Sequence, residues 1–209
     1  MSIIESGLAQ WEIRKAQRSS AAAVLQAKHP NLIPVNAKNN ALIAAAKNIR
    51  IELAEAFRGC RFSVKSSRFS GGDSIDVRWI DGPTTAQVDS IIGKYAAGSF
   101  DGMTDCYDYS MSAWNDAFGD AKYVHSSRDY SEKFVASVLG RLARMWGVNP
   151  APTFQDWHQG RLWAFKVPNC GDFQSEVHRA MSRHTCYATA IATDGDGEIS
   201  QELAARVTL

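Results

Sequence analysis

Residues 68–85 of the chain read RFSGGDSIDVRWIDGPTT, and the fold is organised around this stretch. After the Gly71-Gly72 pair, apolar and polar side chains alternate, which is the pattern of a strand with one buried face. The apolar side chains of this strand are Ile75, Val77 and Trp79. Phe62 and Val64 alternate in the same way before the glycines, whose freedom at positive φ suits a tight turn. The sequence therefore predicts a β-hairpin.

The second face of this hairpin is charged. The alternation puts Lys65, Asp76 and Arg78 on the side away from the apolar residues, and Arg68 lies beside the turn. We interpret these four residues as candidate partner-binding residues on an outer surface.

A helix is predicted before the hairpin. Apolar side chains recur at spacings of three and four across residues 40–57, so one side of the helix is apolar. They are Leu42, Ala46, Ile49, Leu53 and Phe57. Asn39 or Asn40 can cap its first turn, and Gly59 can end it in a left-handed conformation.

A second helix is predicted after the hairpin. Thr84 and Gln87 follow Pro83 at the spacing of a capping box, and Gly98 can end the segment. Its buried stripe is Val88, Ile91, Ile92 and Tyr95. The predicted unit is α-β-β-α, with both helices on one face of the hairpin. Because a two-stranded sheet is marginal, we expect a further strand, with residues 122–125 as the candidate. The fold class is α+β, extended by further helices and a small C-terminal α/β segment.

These runs resemble one known family. The chain has FSV at 62–64, SRFSGGDSIDVRW at 67–79, DGPT at 81–84 and GSFDGM at 98–103. Over about residues 39–125 this is similar to the large polyvalent protein-associated domains, most of all to the member numbered twenty-nine. Such domains occur in proteins of plasmids, integrative elements and phages, so the resemblance implies a mobile-element setting. It carries no catalytic residues with it.

The composition is that of an ordinary globular protein. The 209 residues are 45% hydrophobic and 22% charged, and the formal net charge is +1. These values exclude a disordered chain and a uniformly basic nucleic-acid binder. The charge is uneven, since residues 1–50 carry a net +5 and residues 99–121 carry five aspartates and no lysine or arginine.

The basic segment and the acidic segment predict different surfaces. Residues 1–35 contain one helical candidate, and Arg14, Lys15 and Arg18 make it either a solvated amphipathic helix or a basic arm that touches phosphates. Residues 99–121 predict an ordered loop and a short helix. Their candidate partner-binding side chains are Asp101, Asp105, Tyr107, Asp108 and Tyr109. Aromatic residues make good interface anchors, and an acidic surface can imitate a phosphate backbone.

The last third of the chain predicts a separate segment. A helix covers residues 130–147, and the linker Asn149-Pro150-Ala151-Pro152 follows it. Beyond it the sequence predicts a β-rich stretch at 162–167, a helix at 172–183, a strand at 187–192, a turn at 194–197 and a helix at 199–207. The predicted division is 1–35, 36–148 and 151–209.

No constellation predicts chemistry. Cys170, His178, His184 and Cys186 miss the spacing of a structural zinc site, so no metal is predicted there. The acids at 194–198 miss the register of a calcium loop. The stretches 157–161 and 125–129 hold catalytic residue types without a nucleophile in a known register. No cofactor is predicted.

Three functions remain, in this order. The first is a mobile-element anti-defence protein that binds and blocks a host CRISPR effector or restriction enzyme. The second is a nucleic-acid-binding accessory protein of a conjugative element or phage, and the third is an enzyme with a site in the C-terminal segment. No apolar run reaches the length of a membrane span and no leader is apparent, so we expect a cytoplasmic protein of a bacterial host with reduced cysteines and no membrane partner.

Overall fold

The structure is a computed structural model that describes residues 3–36, 40–103, 105–165, 167 and 172–185. The α-helices of the described residues are α1 (Ile3–Lys28), α2 (Ala41–Ala56), α3 (Thr85–Ile92), α4 (Ala113–Phe118), α5 (Glu132–Trp146), α6 (Phe154–His158) and α7 (Phe173–Arg183). The strands of the same residues are β1 (Ser63–Phe69), β2 (Gly72–Ile80), β3 (Gly98–Asp101), β4 (Cys106–Tyr109) and β5 (Tyr123–Asp129). This mixture confirms the predicted α+β class.

The main sheet has three strands in the order β1-β2-β5. β1 and β2 form the predicted hairpin, with Val64 opposite Val77 and Lys65 opposite Asp76. β5 lies parallel to β2 on its other side, so the expected further strand is confirmed. It is longer than predicted.

The first hydrophobic core lies on one face of this sheet. Ile75, Val77 and Trp79 of β2 are buried there against α2 and α3. The α-β-β-α unit is therefore confirmed. Asn40 accepts a hydrogen bond from Leu42 N at 3.0 Å, and Thr84 with Gln87 forms the predicted capping box.

α1 packs against α4 at the edge of the first core. Ala22 is buried in that core, and Leu25 packs against it. Arg18 of α1 forms an ion pair with Asp116 of α4 at 3.0 Å. The basic and acidic segments of the sequence are thus in contact, and the helix packs against the rest of the described chain.

β3 and β4 form a second hairpin where the sequence predicted a loop. Phe100 lies opposite Tyr107, and Gly98 lies opposite Tyr109. Gly98 is required here because a Cβ atom would lie 2.0 Å from the backbone oxygen of Asp108. The prediction of a loop was wrong because the polar residues of this segment belong to one face of a short hairpin.

A second hydrophobic core is built from α5, α7 and the segment between them. The helix predicted at 130–147 is confirmed; Ser131 caps it, and Gly147 ends it in a left-handed conformation. Its central buried side chains are Val135, Leu139, Leu142, Leu162, Phe173 and Val177. The β-rich stretch predicted at 162–167 is wrong, since Arg161–Ala164 forms a short 3-10 helix with Leu162 buried. The predicted helix at 172–183 is confirmed.

The strand predicted at 187–192, the turn at 194–197 and the helix at 199–207 lie outside the described residues, as do Asn39, Cys170 and Cys186. The domain division at residues 35 and 150 stays a prediction. Within the described ranges, no helix combines the length and the apolar character that crossing a bilayer requires.

Candidate functional site

The second face of the main sheet is largely uncovered by the described residues. The strand registers place one row from each strand on it. The exposed members are Ser63, Lys65, Ser67, Phe69, Arg78, Ile80, His125, Ser127 and Asp129. Sheets with one solvated face are usually polar there. This one also presents large apolar and aromatic side chains.

Five aromatic rings form a continuous surface at one end of this face. The ring of Tyr123 stacks on Phe69 at a centroid distance of 6.2 Å and on His125 at 6.0 Å. Tyr107 meets Tyr123 edge-on at 5.4 Å and Tyr109 at 4.7 Å. We call Phe69, Tyr107, Tyr109, Tyr123 and His125 the ring surface. Its outer rings are open to solvent, since Phe69 is 50% and Tyr109 is 65% exposed.

The ring surface joins two hairpins through Lys122. The hydroxyl of Tyr107 donates a hydrogen bond to the carbonyl oxygen of Lys122, which fixes β4 beside β5. The ammonium group of Lys122 lies 5.2 Å from the ring centre of Tyr107 and 5.3 Å from that of Tyr123. It also donates to the carbonyl oxygen of Gly71 at 2.8 Å. A cation therefore lies within the aromatic surface.

The tight turn predicted from the sequence supports this arrangement. Gly72 has a φ of 143°, and a Cβ atom there would lie 2.6 Å from Cδ of Lys122. Asp73 accepts a hydrogen bond from the backbone N–H of Lys122 at 2.8 Å. The glycine of the turn thus makes room for the side chain that links the rings.

Burial and neighbouring groups shift the pKa values of two ionisable side chains beside the rings. Burial, followed by the neighbouring phenols of Tyr109 and Tyr123, raises the pKa of Tyr107. Its hydroxyl therefore stays a hydrogen-bond donor at neutral pH. Burial, with the charges of Asp73 and Asp116, also raises the pKa of Asp120.

Two cations predicted from the sequence share this face with the rings. Lys65 and Arg78 are exposed, and no described carboxylate lies within 4.0 Å of either charge. Asp76 lies between them in half-buried surroundings and accepts a hydrogen bond from Ser74 Oγ at 3.4 Å. Arg68 belongs to the alternate row of β1, opposite Asp73, so it does not share the face of Lys65.

The acidic and aromatic residues predicted together at 101–109 are separated by the second hairpin. Tyr107 and Tyr109 belong to the row that joins the ring surface. Asp101 and Asp108 belong to the opposite row of the same hairpin. Asp105 lies in the connecting loop with a φ of 52°. One side of the hairpin is therefore aromatic and the other acidic.

Residues 41–131 match the sequence profile described as large polyvalent protein associated domain 29. This segment is similar to that family, and we call it the polyvalent domain. The polyvalent domain covers the main sheet, the second hairpin and the whole ring surface, and it associates the chain with mobile elements and phages. No curated protein and no solved structure matches the chain.

The basic residues of the N-terminal helix lie outside the polyvalent domain. Arg14 and Lys15 are exposed, and the ammonium group of Lys15 lies 4.9 Å from the ring centre of Trp11. Arg18 pairs with Asp116 of α4 and donates a hydrogen bond to the carbonyl oxygen of Met111, just before that helix. These three residues are therefore divided between solvent and an internal contact.

The remaining catalytic or metal-ligand types do not converge in the described ranges. His178 lies in α7 and His184 directly after it, where His184 contacts Arg141. The described chain holds no group of three or more His, Cys, Asp or Glu side chains that could bind a metal ion. Arg161 pairs with Asp156 at 2.7 Å, and the ring of His158 stacks on Phe154. These contacts stabilise the second core.

Sequence reasoning missed four residues of the polyvalent domain's outer face. Phe69, Lys122, Tyr123 and His125 were read only as parts of a turn and a strand. Tyr123 and His125 alternate along the predicted strand at 122–125, so they share one of its faces. That alternation could have placed them beside Asp76.

Proposed function

We propose that the polyvalent domain binds single-stranded nucleic acid on the outer face of its sheet, as an accessory protein of a mobile element. One observation carries the proposal: the ring surface is exposed beside the unpaired charges of Lys65 and Arg78. Single-stranded binding uses this combination, because bases stack on aromatic rings while cations follow the phosphates.

The arrangement favours unpaired bases over a duplex. A stacked base needs access to the flat side of a ring, and bases in a duplex already stack on one another. The rings of Phe69, Tyr123 and His125 lie nearly parallel, with interplanar angles of 19° and 9°. Neighbouring bases of one strand could stack against such rings in succession.

The charge of the protein sets the expected salt dependence. Beside the rings the described face presents Lys65, Arg78 and Lys122, so few phosphates would be neutralised. Each neutralised phosphate steepens the fall of affinity with salt. Binding that depends mainly on Lys65, Arg78 and Lys122 should therefore show a shallow slope, and stacking should supply most of the affinity.

The proposal is tested by fluorescence anisotropy with labelled oligothymidine and oligouridine. Phe69→Ala and Tyr109→Ala should each weaken binding, because removal of one stacking ring costs about 1–3 kcal/mol. This corresponds to a rise in Kd by a factor of roughly 5 to 150. Lys65→Ala should weaken binding less and should reduce the salt slope.

Trp163→Ala is the matched control for the aromatic substitutions. Trp163 is 64% exposed but lies in the 3-10 helix of the second core, outside the polyvalent domain. Its loss should leave Kd unchanged. The proposal fails if neither oligonucleotide binds at low salt, or if Trp163→Ala weakens binding as much as Phe69→Ala does.

A second candidate is the anti-defence protein predicted first from the sequence. It is favoured by the acidic side of the second hairpin, where Asp101, Asp105 and Asp108 are all exposed. Such a surface could occupy the basic channel of a host CRISPR effector or restriction enzyme. Replacing all three aspartates by asparagine should then abolish protection of an incoming plasmid in a host with these systems. Phe69→Ala should leave that protection intact.

A further inference from the structure

A groove of about 620 Å³ opens at the other end of the same sheet face. Its size falls within the range of small-molecule sites, about 300–1,000 Å³. It is lined by the loop before β1, the last residues of β2 and the end of β5. The groove lies at the carboxyl ends of the parallel strands β2 and β5, which is where ligands bind in many open sheets.

Backbone turns build the walls of the groove. Gly59 has a φ of 87° between α2 and β1, and Gly82 has a φ of 59° between β2 and α3. Both values lie in the left-handed region that glycine adopts without strain. The loop from Gly59 brings Phe62 against the buried Trp79 at a centroid distance of 5.7 Å. Phe62 and Trp79 therefore give the groove an apolar part.

The positively and negatively charged side chains of the groove lie on opposite sides of it. Arg61 lies two residues before the start of β1, and Arg78 of β2 lies opposite Ser63 of β1. Asp129 of β5 lies beside Ile80 of β2, on the side away from β1. Cations thus lie toward β1 and the carboxylate lies toward β5.

The two arginines are free to bind an anion. In the part of the chain that the structure describes, neither Arg61 nor Arg78 forms an ion pair within 4.0 Å, and neither side chain donates a hydrogen bond to protein. Guanidinium groups bind phosphate through paired hydrogen bonds. Ile80 is 62% exposed beside them and gives the groove an apolar surface next to the two cations.

We propose that this groove binds one nucleotide, with its phosphate at Arg61 and Arg78 and its base against Phe62 and Ile80. Asp129 would accept a hydrogen bond from a sugar hydroxyl or a base amino group. This inference rests on the proposed function and extends it, because the groove continues the outer face on which the strand would lie. The nucleotide is either the phosphorylated end of a bound strand or a free mononucleotide, and the recognising chemistry is the same.

The test compares four probes on the whole protein: AMP, adenosine, inorganic phosphate and oligothymidine with or without a 5′-phosphate. AMP should bind at least tenfold more tightly than adenosine by calorimetry. Arg61→Ala should remove that preference, and Arg61→Lys should retain part of it, because a lysine keeps the charge without the paired donors. If the ligand is a strand end, the 5′-phosphate should strengthen oligonucleotide binding, and Arg61→Ala should abolish only this increment.

Arg183→Ala is the matched control, since Arg183 is an exposed arginine of α7 and its loss changes the net charge equally. If Arg61→Ala retains the preference for AMP over adenosine, the groove proposal is overturned, whether or not oligothymidine binds. Inorganic phosphate that binds as tightly as AMP also overturns it. AMP binding that depends on Arg61, without any oligonucleotide binding, overturns the proposed function and identifies a free-mononucleotide site. Equal unfolding temperatures would show that the variants fold.

Discussion

Asn48 is fully buried in the middle of α2, where it joins three segments that are distant in sequence. Its amide nitrogen donates to the carbonyl oxygens of Ile33 at 2.9 Å and Phe118 at 3.0 Å. Its carbonyl oxygen accepts from the backbone N–H of Ile33 at 2.7 Å. One side chain thus satisfies backbone groups of the α1–α2 connection and of α4.

We predict that Asn48→Ala lowers the free energy of unfolding by about 2–4 kcal/mol. Two half-buried backbone groups of Ile33 and one buried carbonyl group of Phe118 would lose their partner, and each unsatisfied buried group costs about 1–3 kcal/mol with incomplete additivity. Urea denaturation followed by circular dichroism measures the change. Asn31→Ala is the control, because Asn31 is exposed and its side chain donates to the exposed carboxylate of Glu55. A loss below about 1 kcal/mol in Asn48→Ala would contradict the prediction.

Single residues were the least predictable part of the molecule from sequence. Asn48 lies among the apolar residues of a helix that the sequence predicts, but its partners come from residues 33 and 118. Local periodicity contains no information about such distant carbonyl groups. Arg68 was placed with Lys65 by proximity, although a strand reverses its facing at every residue.

At the scale of elements, side-chain caps set where helices begin, and the short helix α6 begins at such a cap. Thr153 and Asp156 form a capping box at the start of α6, which has five residues. Thr153 Oγ1 donates to Asp156 Oδ2 at 2.6 Å, and Arg161 lies 2.7 Å from Oδ1. The hydrogen bonds from Thr153, followed by that from Arg161, lower the pKa of Asp156 to about 2.

We predict a pH dependence from this cap. The folded pKa of Asp156 lies below its unfolded value, so its stabilisation is fully present above about pH 4 and is lost as pH falls toward 2. Carboxylate titration by NMR should find Asp156 still ionised at pH 3. Thr153→Val removes the hydroxyl donor and should raise this pKa more than Arg161→Ala does. If Arg161→Ala raised the pKa of Asp156 more than Thr153→Val did, the ion pair and not the cap would be the main cause of the low pKa.

Elements were predicted where periodicity and caps agreed, and missed where they did not. α2, α3, α5 and the first hairpin have apolar stripes together with caps or a glycine turn, and all four were predicted. β3 and β4 have four residues each, which is too short for alternation to separate them from a polar loop. The apolar run near Leu162 has the same ambiguity, and packing in the second core made it a 3-10 helix.

At the scale of the whole molecule, folding changes the charge pattern that the sequence displays. The basic N-terminal and acidic central segments are far apart in sequence, yet α1 and α4 bring them into contact through Arg18 and Asp116. The second hairpin then turns its remaining acids away from the rings. The sheet face keeps Lys65 and Arg78 unpaired. The fold thus separates the acidic side chains from the cations and rings of the candidate site, which the linear sequence does not reveal.

The two hydrophobic cores are joined by a buried arginine of the main sheet. Arg128 of β5 donates to the carbonyl oxygens of Asp81 at 2.8 Å, Gly82 at 3.2 Å and Met181 at 3.1 Å. The first two acceptors follow β2, and the third belongs to α7. Its guanidinium also lies 5.0 Å from the ring centre of Tyr130. Within the described ranges its charge meets carbonyl oxygens and rings, with no carboxylate in ion-pair contact.

We predict that Arg128→Ala uncouples the cores and lowers the free energy of unfolding by about 3 kcal/mol, because hydrogen bonds to a charged group are worth about 1.5–3 kcal/mol each and are not additive. Hydrogen exchange should accelerate most in α5 and α7 and least in α2. Arg128→Lys should recover little of the lost stability. One ammonium group cannot reproduce a planar guanidinium that donates to carbonyl oxygens of a turn and of α7 at the same time. Arg183→Ala, an exposed change in α7, should leave both measurements unchanged. Equal acceleration in α2 and α7 would mean that the cores unfold as one unit and that Arg128 does not act as a link between them.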